Sequence, residues 1–281
     1  MPFDPERLIA HRFPTVRQSY DRRDTILYAL GIGLGHDPLD EHDLDYLLDT
    51  HDRVLPTFAV TLASSGMWIR DPAFGVNFAK LVHSAQAVSF ERPLPANGTV
   101  TSTPRIASIY DRGERRGALV VLERDVTDAD SGECYAHVEQ TLLLRGDGGF
   151  DGKAPPTLPA QLIPDQAPDL STHQLISPRA ALIYRLSGDW NPLHSDPAAA
   201  RAAGFERPIL HGLASFGWAA YALERLSGRR LASIGCRFSG PVVPGDTLSL
   251  SAWLQDDRAL FTASTASRPA LDRGVATFTL P

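Results

Sequence analysis

An α+β fold built twice in tandem is predicted for this chain of 281 residues by three observations: a Gly/Pro-rich break near the middle, matched segments in the two halves, and a helical stretch followed by strand-like runs in each half. The break runs from Gly146 to about Ser171, where Gly-Asp-Gly-Gly-Phe-Asp-Gly-Lys gives way to Pro155, Pro156, Pro159, Pro164 and Pro168. Neither a helix nor a central strand continues through such a run. It separates a unit at 1–145 from a unit at 172–281, with 146–171 as the linker. The matched segments are Leu27-Tyr28-Ala29-Leu30-Gly31 with Ile183-Tyr184-Arg185-Leu186-Ser187, and Phe90-Glu91-Arg92-Pro93-Leu94 with Phe238-Ser239-Gly240-Pro241-Val242. They occur in the same order, and a turn glycine, Gly98 or Gly245, follows each second match.

Taken along the chain, Gly31-Ile-Gly33-Leu-Gly35 is a loop after a helix; no strand precedes it and no Gly-Lys-Ser/Thr follows, so it does not cradle a nucleotide. Between His36 and Asp52, Asp45, Asp49 and Asp52 share one helix face turned away from Leu44, Leu47 and Leu48, which predicts a solvated face. Arg112 to Arg116 is either a hairpin tip around Gly113 and Gly117 or an anion contact. Arg116–Val126 and Cys134–Leu144 alternate as half-buried strands do, and that alternation points Cys134 and His137 to opposite faces. Gly212–Leu226, rich in Ala, Leu and aromatics, predicts a buried helix. Its Ser215 stands in Gly-Leu-Ala-Ser-Phe-Gly, which is no nucleophile elbow. Ile234–Phe238, Thr247–Trp253, Ala259–Thr265 and Gly274–Leu280 complete the second unit as strands.

Composition narrows the function. With 43% hydrophobic and 21% charged residues the chain is an ordinary globular one, and its net charge of −6 leaves no global positive field for nucleic acid or an anionic membrane surface. Two cysteines, Cys134 and Cys236, supply neither a disulfide framework nor a Cys-x-x-Cys site, and a reducing, cytoplasmic setting is expected. No signal peptide, membrane span or peroxisomal tail is expected. No His/Cys/Asp cluster has a closed metal-ligand spacing, so chemistry without a metal is expected.

The stretch that carries chemistry is Tyr184-Arg-Leu-Ser-Gly-Asp189-Trp-Asn191-Pro-Leu-His194-Ser-Asp196-Pro197. Gly188, Pro192 and Pro197 place Asp189, Asn191 and His194 on a loop that can aim a carboxylate, an amide and an imidazole at one spot. Asp with His suits proton transfer near neutral pH, and Asn191 can fix a water or a substrate carbonyl. An N-cap aspartate, an Asn-Pro turn and a structural histidine are the alternatives for each residue alone.

The whole string resembles the motif of the hydratase 2, or MaoC-like, family of (R)-specific 2-enoyl-CoA hydratases. The likeness continues through Pro208-Ile209-Leu210-His211-Gly212-Leu213 and Arg237-Phe238-Ser239-Gly240-Pro241-Val242-Val243-Pro244-Gly245-Asp246. Arg23–Gly31 and Leu55-Pro56-Thr57-Phe58 resemble the N-terminal half of the two-part hydratases found in multifunctional β-oxidation enzymes. The resemblance implies a double hot-dog, in which each unit is a long helix wrapped by an antiparallel sheet, and reversible hydration of a trans-2-enoyl-CoA to the (3R)-3-hydroxyacyl-CoA. It implies a catalytic second unit and a first unit that makes room for the acyl chain; counted from Tyr28, Gly33 and Pro38 stand where Asp189 and His194 do. It places Asp189, His194 and Asn191 in catalysis, with the Gly212 N–H as oxyanion donor. His83, Ser84, Arg112 and Phe238, with Trp190, Pro192 and Leu193, fall on the substrate or CoA side. Ser84 replaces a common glycine, and Arg112 a common lysine. No cofactor is implied beyond the CoA thioester substrate, and a homodimer is. A hot-dog thioesterase and a silent acyl-CoA-binding subunit are the rival functions.

Overall fold

The computed structural model describes residues 3–157 and 163–279; linker residues 158–162 and Leu280, the expected end of the last strand, lie outside them. The first half opens with α1 (Pro5–Ile9) and β1 (Val16–Tyr20). In α2 (Arg22–Ile32) Asp21 and Asp24 form a reciprocal cap, and Gly33, at φ 107°, takes the left-handed conformation that ends the helix. α3 (Glu41–Leu47) is shorter than the acidic pattern predicted. Asp49 falls beyond it in a turn and Asp52 in irregular chain, and Asp45 pairs with His51 and Arg53. Short 3₁₀ turns, the longest at Pro56–Val60, lead to β2 (Leu81–Phe90), β3 (Gly98–Ser102), β4 (Arg105–Asp111), β5 (Ala118–Asp128) and β6 (Cys134–Leu144). The second half contains β7 (Leu170–Leu175), α4 (Ala180–Tyr184), α5 (Pro197–Ala202), α6 (Gly212–Ser227), β8 (Leu231–Phe238), β9 (Thr247–Gln255), β10 (Arg258–Ser264) and β11 (Pro269–Phe278).

All these strands join one antiparallel sheet in the order β1-β3-β5-β6-β2-β8-β11-β10-β9-β7, with β4 also on β5. Read outward from the central β2–β8 pair, the two halves have the same order, as a duplicated unit requires. β3 and β4 together occupy the place of β9, interrupted at Thr103-Pro104, because proline has no N–H to give the ladder. The halves meet at a ladder from Ala85↔Arg237 to Ser89↔Ser233. Behind it α2 packs on α4, where the matched tyrosines Tyr28 and Tyr184 are both buried with rings 5.9 Å apart. A side chain at Gly31 would stand 3.0 Å from the Tyr184 Cα, so the absence of one permits this approach.

The arrangement is a double hot-dog with unequal fillings. α6 has 16 residues, is buried continuously from Ala214 to Leu223, and packs on β7, β8 and β9. At the same place in chain order the first unit has only the 3₁₀ turns, so the long central helix expected in each unit is present in the second alone. The cause is local: left-handed Gly66 and Gly75, and Pro72 between them, interrupt any helix begun at Pro56. One apolar core runs through both units, and a satellite core of Leu8, Phe13, Ile69, Phe74, Val120, Leu142 and neighbours fills the far end of the first.

Two bulges alter side-chain directions. The β5–β6 register slips between Val126 and Thr127, which brings the Cys134 Sγ within 3.9 Å of the His137 ring nitrogens and overturns the expectation that they point apart. In β2 the slip between His83 and Ala85 leaves Ser84 as the extra residue and turns His83 to the inner side with Gln86.

Candidate active site

Between α4 and α5 the chain makes a 3₁₀ turn (Arg185–Ser187), reverses at left-handed Gly188, and makes a second turn at Pro192–His194. Local hydrogen bonds set this loop. Asp189 Oδ1 accepts the Asn191 N–H at 3.1 Å, and Asn191 Oδ1 accepts the Leu193 N–H at 3.1 Å. Asn191 is thus the cap of the turn that carries His194. Its oxygen accepts that backbone N–H and so helps to hold the turn.

His194 is almost fully buried, with Nδ1 2.9 Å from the Ile209 carbonyl oxygen. A carbonyl only accepts, so Nδ1 carries the hydrogen and Nε2 presents a lone pair. The same argument applies to His211, whose Nε2 lies 3.2 Å from the Asp189 carbonyl and whose Nδ1 is buried without a hydrogen-bond partner among the described residues. The two imidazoles stack with centroids 3.7 Å apart, and Asp189, His194 and His211 each offer an atom within 4.8 Å of the others. Burial lowers the His194 pKa, with the Asp189 charge opposing. Burial, then the charge of His194, pushes His211 down to about 3. Two stacked rings in a poorly solvated place do not both hold a proton, so the pair rests neutral at pH 7.

Gly212 begins α6 directly after His211, and no side chain caps that helix among the described residues. Its first N–H groups therefore face the loop with the positive end of the helix dipole. A Cβ on Gly212 would lie 3.1 Å from the Phe238 ring, so glycine keeps this N–H open to approach. Phe238 also meets His83 edge to face at 4.8 Å.

A cavity of about 310 Å³ opens beside Asp189 and runs into the first unit. Tyr184, Gly188, Trp190 and Leu213 wall it on the catalytic side; Val60, Ser64, Met67, Leu122, Arg124 and Val138 wall it on the other. His83 Nε2 donates to the Ala85 carbonyl at 3.0 Å, and burial lowers its pKa to about 4, so it too is neutral.

The structure thus brings Asp189, His194, Gly212, His83 and Phe238 together, with Pro192 and Leu193 shaping the turn. Trp190 is 56% exposed at the mouth, under the Arg185 guanidinium at 4.4 Å. Two expected residues stand apart. Ser84 gives its hydroxyl to the Thr141 carbonyl at 3.1 Å, outside the cavity wall. Arg112 opens the β4–β5 hairpin tip, three strands from His83 and outside the cavity wall. In the first unit, left-handed Gly33 ends its helix as Gly188 ends the second unit's turn. This alignment puts buried Leu34, and not Gly33, at the Asp189 position. His211 was missed as a site residue although it adjoins Gly212; only the fold stacks it on His194. Arg124 and Gln86 were missed because a polar residue in an alternating strand is not by itself a signal.

Fold and site together define a double hot-dog protein with a single acid–base loop. A model of the MFE-2 hydratase 2 N-terminal domain matches residues 18–146, and one of the MaoC like domain matches residues 159–270. The chain is 36% identical to "Enoyl-CoA hydratase ChsH3" of Mycobacterium tuberculosis, covering 98% of this chain and 96% of that protein. It is 35% identical to "Enoyl-CoA hydratase 2, peroxisomal" of Arabidopsis thaliana, over 95% and 92%. A crystal structure of a MaoC-like dehydratase from Phytophthora capsici superposes with a TM-score of 0.83 at 32% identity, covering 99% of each chain. The chain belongs to the MaoC-like hydratase 2 family.

Proposed function

We propose that the protein is an (R)-specific 2-enoyl-CoA hydratase that adds water reversibly to a trans-2-enoyl-CoA. As a hydro-lyase it acts on an acyl-CoA, as the names of its relatives indicate. The observation that carries the reading is the fixed His194 tautomer, which leaves Nε2 its lone pair, in a cluster where Asp189, His194 and His211 each offer an atom within 4.8 Å of the others, next to the uncapped start of α6.

In this reading a water donates one hydrogen to Asp189 and one to His194 Nε2. As its oxygen attacks C3, the O–H bond on the His194 side breaks, the proton passes to Nε2, and the C2–C3 π pair moves onto the thioester as an enolate. The Gly212 N–H and the α6 dipole stabilise the enolate oxygen. Burial makes the transient His194 imidazolium a stronger acid, and it returns its proton to C2 while Asp189 balances the charge. Hydrogen and hydroxyl thus add to one face, and His194 is regenerated neutral.

The Asp189–His194–His211 cluster could also be read as metal ligands. We assign it to proton transfer without a cofactor, each imidazole keeping one ring nitrogen free of the carbonyl it meets. Phe238 and His83 flank the thioester, and Arg112 at its hairpin tip offers charge to the CoA phosphates. A cytoplasmic setting and a homodimer complete the proposal; among the described residues no helix is long and apolar enough to cross a membrane.

The test is the loss of conjugated-thioester absorbance when purified protein meets crotonyl-CoA or a longer trans-2-enoyl-CoA. The rate should survive a chelator, and chiral analysis should give the 3R product. Free CoA in place of hydroxyacyl-CoA would establish a thioesterase instead, and a 3S product would overturn the stereochemical assignment.

A further inference from the structure

Along β5 the residues facing the inside of the first unit are Ala118, Val120, Leu122, Arg124 and Val126. Four are apolar and buried. The fifth is a guanidinium standing where the satellite core ends and the shared core begins, in the space that a central helix fills in the second unit. Its Nη2 donates to the Val60 carbonyl at 2.6 Å, while its Nη1 is buried with no hydrogen-bond partner among the described residues. Of the adjacent carboxylates, Glu123 also lines the cavity but pairs with Arg105, and Asp125 holds the His137 Nδ1 at 2.6 Å. Burial alone lowers the Arg124 pKa, to about 10, with no counter-charge opposing it.

A guanidinium stays ionised at neutral pH and its burial is unfavourable unless something accepts from it. Arg124 lines the same cavity as Asp189. The amides of Gln86 and Gln140 line that cavity as well, Gln140 Nε2 lying 3.5 Å from His83 Nδ1, so its wall is polar in places where a pocket for a plain alkyl chain would be aliphatic.

We propose that Arg124 is a specificity-determining residue, and that the acyl groups this site favours carry an oxygen acceptor remote from the thioester, a carboxylate being the best complement to its unpaired Nη1. The inference rests on the acyl-CoA reading of the site and names the class of acyl group. A terminal carboxylate would accept from Nη1 and neutralise the buried charge. A hydroxyl would accept without neutralising it, and a methyl end would leave the guanidinium unpaired and further desolvated.

The test is calorimetric binding of saturated acyl-CoA thioesters, which cannot be hydrated, in matched series of increasing length ending in methyl, hydroxyl or carboxylate. The wild-type protein should bind the carboxylate member of at least one length tenfold or more tighter than its methyl partner, with the hydroxyl member between. In Arg124→Met that ratio should fall to about one or invert, and Arg124→Lys should keep part of it. Because the ratio compares two ligands on one protein sample, a general loss of folded material cancels. A wild-type preference for methyl ends at every length, or a carboxylate preference that survives in Arg124→Met, overturns the proposal. Hydration of crotonyl-CoA, measured separately, tests the hydratase reading without touching this one.

Discussion

The two units share a strand order and differ in what fills the sheet. In the second, α6 is small, apolar and continuous, so it occupies the interior and aims its N-terminus at the Asp189–His194 loop. In the first, glycine and proline break the equivalent segment, and the unfilled interior is an acyl-sized cavity bearing Arg124. The comparison teaches how far one repeated scaffold changes by a single substitution of element. In the proposed reading the helix supplies an oriented dipole and a rigid support for chemistry, and its absence supplies volume for a substrate.

If the second unit alone holds the chemistry, Asp189→Asn and His194→Ala should each lower kcat by about 10²–10⁴. The double variant should lose far less than the product of the two, because both groups act on one water. Steady-state kinetics on the purified variants checks this, and multiplicative losses would separate the two roles.

The neutral imidazoles distinguish the site from the rest of the molecule by pH. His83, His194 and His211 all have folded-state pKa values below the ordinary 6.5, with His83 at about 4 and His211 at about 3. Between those values and 6.5 the unfolded chain binds the protons and the folded chain does not. Stability is therefore full above about pH 6.5 and falls as pH drops toward 4, with His83 and the stacked His194–His211 pair each steepening the slope. Urea midpoints at several pH values should show this, and His211→Asn should flatten the slope.

The contact between the units can be loosened without touching the chemistry. A Cβ on Gly217 would lie 2.5 Å from the Tyr28 hydroxyl, so Gly217→Ala should lower stability by about 1–3 kcal/mol. Thermal unfolding reads this. Gly66 has open space around it, and Gly66→Ala strains only a turn at positive φ. The smallest effect is expected at the hairpin tip: Arg112→Ala should raise KM by about twofold to fivefold at low salt, and less as salt is added, in line with a half-exposed surface charge.

Much of the catalytic half was legible in the sequence. Gly188, Pro192 and Pro197 mark a loop, and that loop makes its hydrogen bonds within a few residues, so local spacing determines it. α6 was readable from composition because a helix buried on all sides must be small and apolar throughout. β1, β2, β4 and β7 were not read as strands. In β2 the bulge at Ser84 breaks the two-residue period, and the inner residues are His83 and Gln86, polar because they face a cavity and not a core. Cys134 and His137 were misdirected for the same reason, since an extra residue in a strand is invisible to an alternation count.

By itself the sequence determined the duplicated α+β plan, the loop that carries Asp189 and His194, and the helix that begins at Gly212, all of which depend on neighbours close in the chain. Only the tertiary structure decided the tautomer of His194, the stacking of His211 upon it, the loss of the first unit's central helix as a usable cavity, and the placement of Arg124 in that cavity. Each of these is set by groups far apart in sequence: a carbonyl accepts from His194 across fifteen residues, and Arg124 reaches Val60 across sixty-four. Hydrogen-bond direction and burial are properties of that assembled neighbourhood.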